Sequence, residues 1–125
     1  MSELYTVKAE LFRTLGHPAR IRILELLSER DRPVHELLAS IEIEQSNLSQ
    51  QLAVLRRAGL VSQRREGGEV VYAASVPAVA ELLRVARRLL VNLLEGQQDL
   101  KVELEHSAAE AAGAPATTDG RPAGR

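Results

Sequence analysis

The chain has 125 residues, room for one small domain and a tail, and 16 Lys and Arg against 17 Asp and Glu give a formal net charge of −1. Hydrophobic residues make up 45%, yet Phe12, Tyr5 and Tyr72 are the only aromatics, so the core has to be aliphatic and small enough that burial in a dimer would help it. No cysteine is present, which excludes disulfides, thiolate metal sites, iron–sulfur clusters and thiol-based redox sensing.

Residues 4 to 15 place Leu4, Val7, Leu11 and Leu15 at helical spacing, an amphipathic first helix that Gly16 ends. Its charges stand where a secretory signal would need an apolar run. Pro18 opens a second helix, running to about Ser28 on an apolar face of Ile21, Ile23, Leu24, Leu26 and Leu27. Glu29 to Pro33 is expected to be a polar connection, and Val34 to Ser40 a short helix with Leu37 and Leu38 inward. A fourth helix is expected over Gln45 to Ala58, carrying Leu48, Leu52 and Leu55 at i, i+4 and i+7 and stopped by Gly59. Residues 60 to 74 predict a β-hairpin around Gly67-Gly68. Ser75 is expected to cap a last helix with Pro77 in its first turn, continuing with a weak point at Gly96 to about Ala111. Glu81, Arg84, Arg87 and Arg88 interrupt its apolar run and exclude a membrane span, so a soluble cytoplasmic protein is the expectation. Residues 112–125 close as an expected disordered tail behind a single domain of residues 1–111.

The near-neutral total hides two halves. Ser46 to Arg65 contains Arg56, Arg57, Arg64 and Arg65 and no acid, whereas Asn92 to Glu110 holds Glu95, Asp99, Glu103, Glu105 and Glu110 against Lys101 alone. Binding follows the local field, so the basic half suits a polyanion. On the fourth helix, a turn of about 100° per residue puts Ser46, Gln50, Ala53 and Arg57 opposite the leucines, flanked by Asn47 and Ser49. Amides can bond two edge atoms of adenine in the major groove, while Ser46 and the helix N-terminus suit phosphates, and Gln45, Arg56 and Arg57 are further candidate DNA contacts. A merely solvated helix face is the alternative. Arg64 and Arg65, on the hairpin beside its Gly-Gly turn, could reach the sugar-phosphate backbone or minor groove, or simply guard a sheet edge.

The order helix, helix, short helix, helix, hairpin, helix is that of a winged helix-turn-helix, mainly α with a small β-hairpin wing. The segments Leu15-Gly16-His17-Pro18-Ala19-Arg20-Ile21-Arg22-Ile23-Leu24 and Gln45 to Val61 resemble the ArsR/SmtB family of bacterial metal- and stress-responsive regulators, over roughly residues 8 to 95. The resemblance implies a homodimer meeting through the first and last helices, for which Leu4, Val7, Leu11, Leu82, Leu89 and Leu93 are the candidate interface, and double-stranded operator DNA as partner. A protein co-regulator is a further candidate partner. Family members often carry Cys-x-Cys in the short third helix; Pro33 and His35 stand there, so a soft-metal site cannot form. Another family site lies on the last helix, where Asp99, Glu103, His106 and Glu110 fall within about 60° on one face. The chain lacks the family's Asp-x-His pair there. Such oxygens and an imidazole suit a regulatory nickel or zinc, in keeping with a general similarity to cysteine-free, nickel-linked actinobacterial members. No metal or other cofactor is expected to be needed for folding. Solvated acids are the plainer reading, and His17, expected to cap or pack at the second helix, is the alternative ligand. A phosphate loop, a metal-hydrolase spacing and an activated nucleophile are all missing from the sequence, so no enzyme is expected. A winged-helix regulator with no metal effector, constitutive or controlled by a small molecule or protein partner, is one alternative, and a protein-interaction module that has lost DNA binding is the rival from another class.

Overall fold

The structure, a computed structural model, describes residues 2–95 and 98–111. It divides into two units, residues 1–83 and 84–125. In the first, α1 (Glu3–Leu15) and α2 (Pro18–Glu29) precede β1 (Arg32–Pro33), α3 (Val34–Ser40), α4 (Gln45–Arg57), β2 (Val61–Glu66) and β3 (Glu69–Ala74). Helix α5 (Pro77–Leu93) begins in the first unit and ends in the second, which also holds α6 (Gln98–Ala111).

The core of the first unit is aliphatic. Ile23, Leu24, Leu37, Leu48, Leu52 and Leu55 are almost completely shielded, and Leu15, Leu26, Leu27, Leu60, Val61 and Val79 close around them. Helix α4 is therefore held by one stripe, with its opposite side left to solvent. It ends at Arg57, with Ala58 as C-cap. Gly59 follows at φ 80°, and the amides of Gly59 and Leu60 donate to Arg56 O and Leu55 O at 3.0 Å each. This is a Schellman stop, and only glycine takes that φ without strain. It turns the chain directly into β2.

The sheet has three strands in the order β1-β3-β2, all antiparallel, and thus one more than the hairpin expected. The segment read as a polar connection supplies the extra edge: Arg32 pairs with Tyr72 and Pro33 with Val71. Pro33 has no N–H to offer a ladder, so it fits an edge strand. Arg32 is buried, its Nε donating to Leu26 O at 3.0 Å and its guanidinium meeting Glu29 at 2.6 Å. The tertiary demand for a cover over the α2 end outweighs the polar sequence. At the other end of the sheet, Gly67 and Gly68 both have positive φ, as a two-residue hairpin turn matched to strand twist requires.

Two boundaries of the C-terminal part differ from expectation. Helix α5 starts at Pro77, so Ser75 lies two residues ahead of its first turn, and the Ser75 amide instead donates to Leu60 O at 3.0 Å. The single long helix is two, α5 ending at Leu93 and α6 starting at Gln98. Gly96, a poor helix former, lies between them in the sequence. Within the second unit Arg87 donates to Ser107 Oγ at 3.4 Å and Lys101 pairs with Glu95 at 3.5 Å. The expected tail, residues 112–125, lies outside the described residues. No described helix is long and apolar enough to cross a membrane.

Candidate nucleic-acid interface

The outer side of α4 leaves Gln45, Ser46, Asn47, Ser49, Gln50, Arg56 and Arg57 exposed, while Leu48, Leu52 and Leu55 fix the helix from beneath. Arg56 and Arg57 in the last turn have no ion pair among the described residues. At the first turn the N-cap position is Glu44, with no side-chain capping bond. A carboxylate stands at the positive end of the helix dipole, so the α4 N-terminus is a poor phosphate seat. Phosphate affinity falls to the arginines instead.

A polar clamp that the sequence reading missed sets the position of α4. Arg20, near the start of α2, donates its Nε to Thr14 O at 2.7 Å and one Nη to Gln51 Oε1 at 2.7 Å. Its other Nη reaches Arg13 O at 3.4 Å. Gln51 is buried, and its Nε2 donates to Asn47 Oδ1 at 2.8 Å. The end of α1, the start of α2 and the first turns of α4 are thereby tied together. One signal was available: Gln51 falls on the leucine side of the α4 wheel, where a lone polar residue must find partners.

The two wing arginines differ. Arg64 meets Asp31 Oδ2 at 2.7 Å and Glu66 at 3.4 Å, and these carboxylates, Asp31 foremost, raise its pKa above the usual guanidinium value. Asp31 lies just before β1, so this pair moors the wing to the loop beside it. Among the described residues Arg65 makes only a 3.5 Å contact to Gly68 O and keeps most of its donors. Across the wing tip, His35 Nδ1 of α3 stands 3.1 Å from Glu69 Oε1.

His17 is the N-cap of α2, its Nδ1 accepting from the Ala19 amide at 3.2 Å. On α6, His106 Nε2 and Glu110 Oε2 are 3.5 Å apart and Glu103 is exposed; the side chain of Asp99 lies outside the described residues. Among the described residues no three His, Asp or Glu come together as a metal shell would need. Of the expected interface residues, Leu4, Val7, Leu11, Leu89 and Leu93 are 40–69% exposed, but Leu82 packs against the core of its own chain.

Residues 17–63, from the α2 cap into β2, match the model of the arsR family of bacterial regulatory proteins. An HTH-type transcriptional regulator of Mycobacterium tuberculosis, Rv0081, is 62% identical over 92 residues, 73% of this chain and 81% of that protein. The chain belongs to the ArsR family. Its fold agrees with the crystal structure of Rv0081 at a TM-score of 0.72 and 57% identity, over 78% of this chain and 98% of that one. It is similar as well to a homodimeric winged helix-turn-helix DNA-binding domain of Mycobacterium bovis, Mb0332, solved by NMR: TM-score 0.65, 26% identity, 78% and 94% coverage. This ArsR-family chain is thus a transcriptional regulator on a DNA-binding winged helix, and the family match spans both Arg20 and Gln51 of the clamp.

Proposed function

We propose that the chain binds operator DNA as a two-fold dimer, with α4 in the major groove and the wing against the adjoining backbone. The observation that carries this is the α4 surface: seven exposed polar or basic residues and no acid between Ser46 and Arg65, on a helix anchored by buried leucines and the Arg20 clamp. Gln50, Ser46 and Asn47 face the bases, while Arg56, Arg57 and Arg65 hold phosphates. An acidic or apolar outer face, which a protein-interaction module would carry, is not what α4 offers.

The dimer reading rests on α1, of which only Leu15 is buried. Leu4, Tyr5, Val7, Leu11 and Phe12 are 40–60% exposed on this one helix. A second copy covering such a stripe removes it from water, and the Mycobacterium bovis domain is described as homodimeric. Light scattering at micromolar concentration tests the assembly, and a folded monomer would defeat it. Gel-shift binding to random duplex across a salt series tests the DNA reading, which fails if binding ignores salt.

A divalent-metal response through α6 has one contact in its favour, the His106–Glu110 pair. Two donors do not complete a nickel or zinc shell, so the described residues of one chain do not fit such an ion alone. Calorimetry with nickel on the wild type and on His106→Ala decides it: micromolar binding lost in the variant supports the site, and none below about millimolar removes it.

A further inference from the structure

The clamp under α4 has a direction. Arginine only donates hydrogen bonds, whereas a carboxamide offers an acceptor oxygen and a donor nitrogen that can exchange places by a flip. Arg20 Nη therefore fixes the buried Gln51: its Oε1 must accept, and its Nε2 must point the other way. That Nε2 donates to Asn47 Oδ1, which fixes the next amide in turn. Asn47 is left with its oxygen engaged and its NH2 group without a partner among the described residues, on an exposed side chain in the first turn of α4. First-turn residues of a recognition helix are those that meet base edges.

We propose that Arg20 and Gln51 are positioning residues that fix the flip state of Asn47, so that it turns its NH2 group to DNA and reads an acceptor edge, guanine N7/O6, adenine N7 or thymine O4. A free asparagine would grip adenine N6 and N7 with both its atoms. Asn47 Oδ1 already accepts from Gln51, so the NH2 group without a partner among the described residues is what it offers first, and an outward-turned donor suits guanine, thymine and adenine N7 but not the N4 donor of cytosine. Flipping Asn47 would set its NH2 against the NH2 of Gln51, which Arg20 prevents from turning. Leaving a buried donor unmatched in this way disfavours the flipped state about tenfold or more. The inference rests on α4 being the DNA-reading helix.

The substitution Gln51→Glu tests it in an isosteric side chain. A carboxylate still accepts from Arg20 but cannot donate to Asn47, so Asn47 turns its NH2 inward and its oxygen outward. The probe is a library of randomised duplexes, enriched separately by the wild type and by Gln51→Glu. At one position per half-site the wild type should favour guanine, thymine or adenine over cytosine. The variant should favour cytosine, whose N4 donates, by about tenfold relative to the wild type. Unchanged preference would overturn the proposal. If the wild type enriches no sequence, the DNA reading itself fails, which is a different result from an unchanged preference. If Gln51→Glu does not fold, side-chain amide exchange by NMR on the wild type decides: Gln51 Nε2 protons should exchange about tenfold more slowly than those of Asn47, and the reverse order would overturn the relay. Arg20→Lys, which keeps a donor, should retain part of the wild-type preference that Arg20→Met loses.

Discussion

Removing the Arg65 side chain separates the arginines that face DNA from the one the protein keeps for itself. Arg56, Arg57 and Arg65 carry no ion pair among the described residues, while Arg64 is paired with Asp31 at 2.7 Å and with Glu66. If each of the three neutralises one phosphate, a dimer neutralises about six, and log K falls with log salt at a slope of about −5.4. Between 50 and 200 mM salt the wild type should then lose about 2,000-fold in affinity. Arg65→Ala removes two contacts per dimer, flattening the slope to about −3.6 and the loss to about 150-fold. The penalty of the mutation is therefore about twelvefold larger at 50 mM than at 200 mM, on any duplex. Fluorescence anisotropy with a labelled random duplex across that range reads it directly. Arg64→Ala should leave the slope close to wild type, because its charge is already offset by Asp31. An unchanged slope for Arg65→Ala would refute the wing assignment, and an equal flattening by Arg64→Ala would refute the claim that Asp31 retains Arg64.

Gln50→Ala should cost about 1–3 kcal/mol on a selected cognate duplex and nothing on random DNA, by competition titration; equal losses on both would mean Gln50 reads no base. Leu52→Ala, at a fully shielded position beneath α4, should lower unfolding free energy by about 2–5 kcal/mol in a urea titration. Gly59→Ala meets open space but must adopt φ near 80°, so it should cost about 1–2 kcal/mol in the same assay. Leu11→Asp on the exposed stripe of α1 should give a monomer by light scattering with unchanged circular dichroism, and a dimer of normal affinity would place the interface elsewhere.

Much of this was legible in the residues. The four N-terminal helices and the hairpin follow from apolar spacing and from Pro18, Gly59 and Gly67-Gly68, because period and punctuation are local properties. What escaped is long-range. Arg32 and Pro33 look like loop until β3, some forty residues on, takes them as a neighbour. Asp31 falls within the expected polar connection, and only the folded chain brings it to Arg64. The split between α5 and α6 lies at the weak point noted around Gly96, but whether a helix survives a single glycine depends on packing beyond the local pattern. Within the site, the exposed face of α4 could be read from a helical wheel, whereas the Arg20 clamp joins residues 31 positions apart and shows in sequence only as a misplaced polar Gln51.

The claim that matters most is that the outer face of α4 enters the major groove, and the lack of cysteine in the chain offers a direct measurement. Gln50→Cys introduces a unique thiol on that face, and Ala39→Cys one on the exposed end of α3. Each is incubated with a duplex enriched by the wild type, carrying a disulfide tether on a major-groove base edge within the half-site. The account predicts trapping by Gln50→Cys at one base position per half-site and none by Ala39→Cys. Equal trapping by both, or trapping by Ala39→Cys alone, would contradict it.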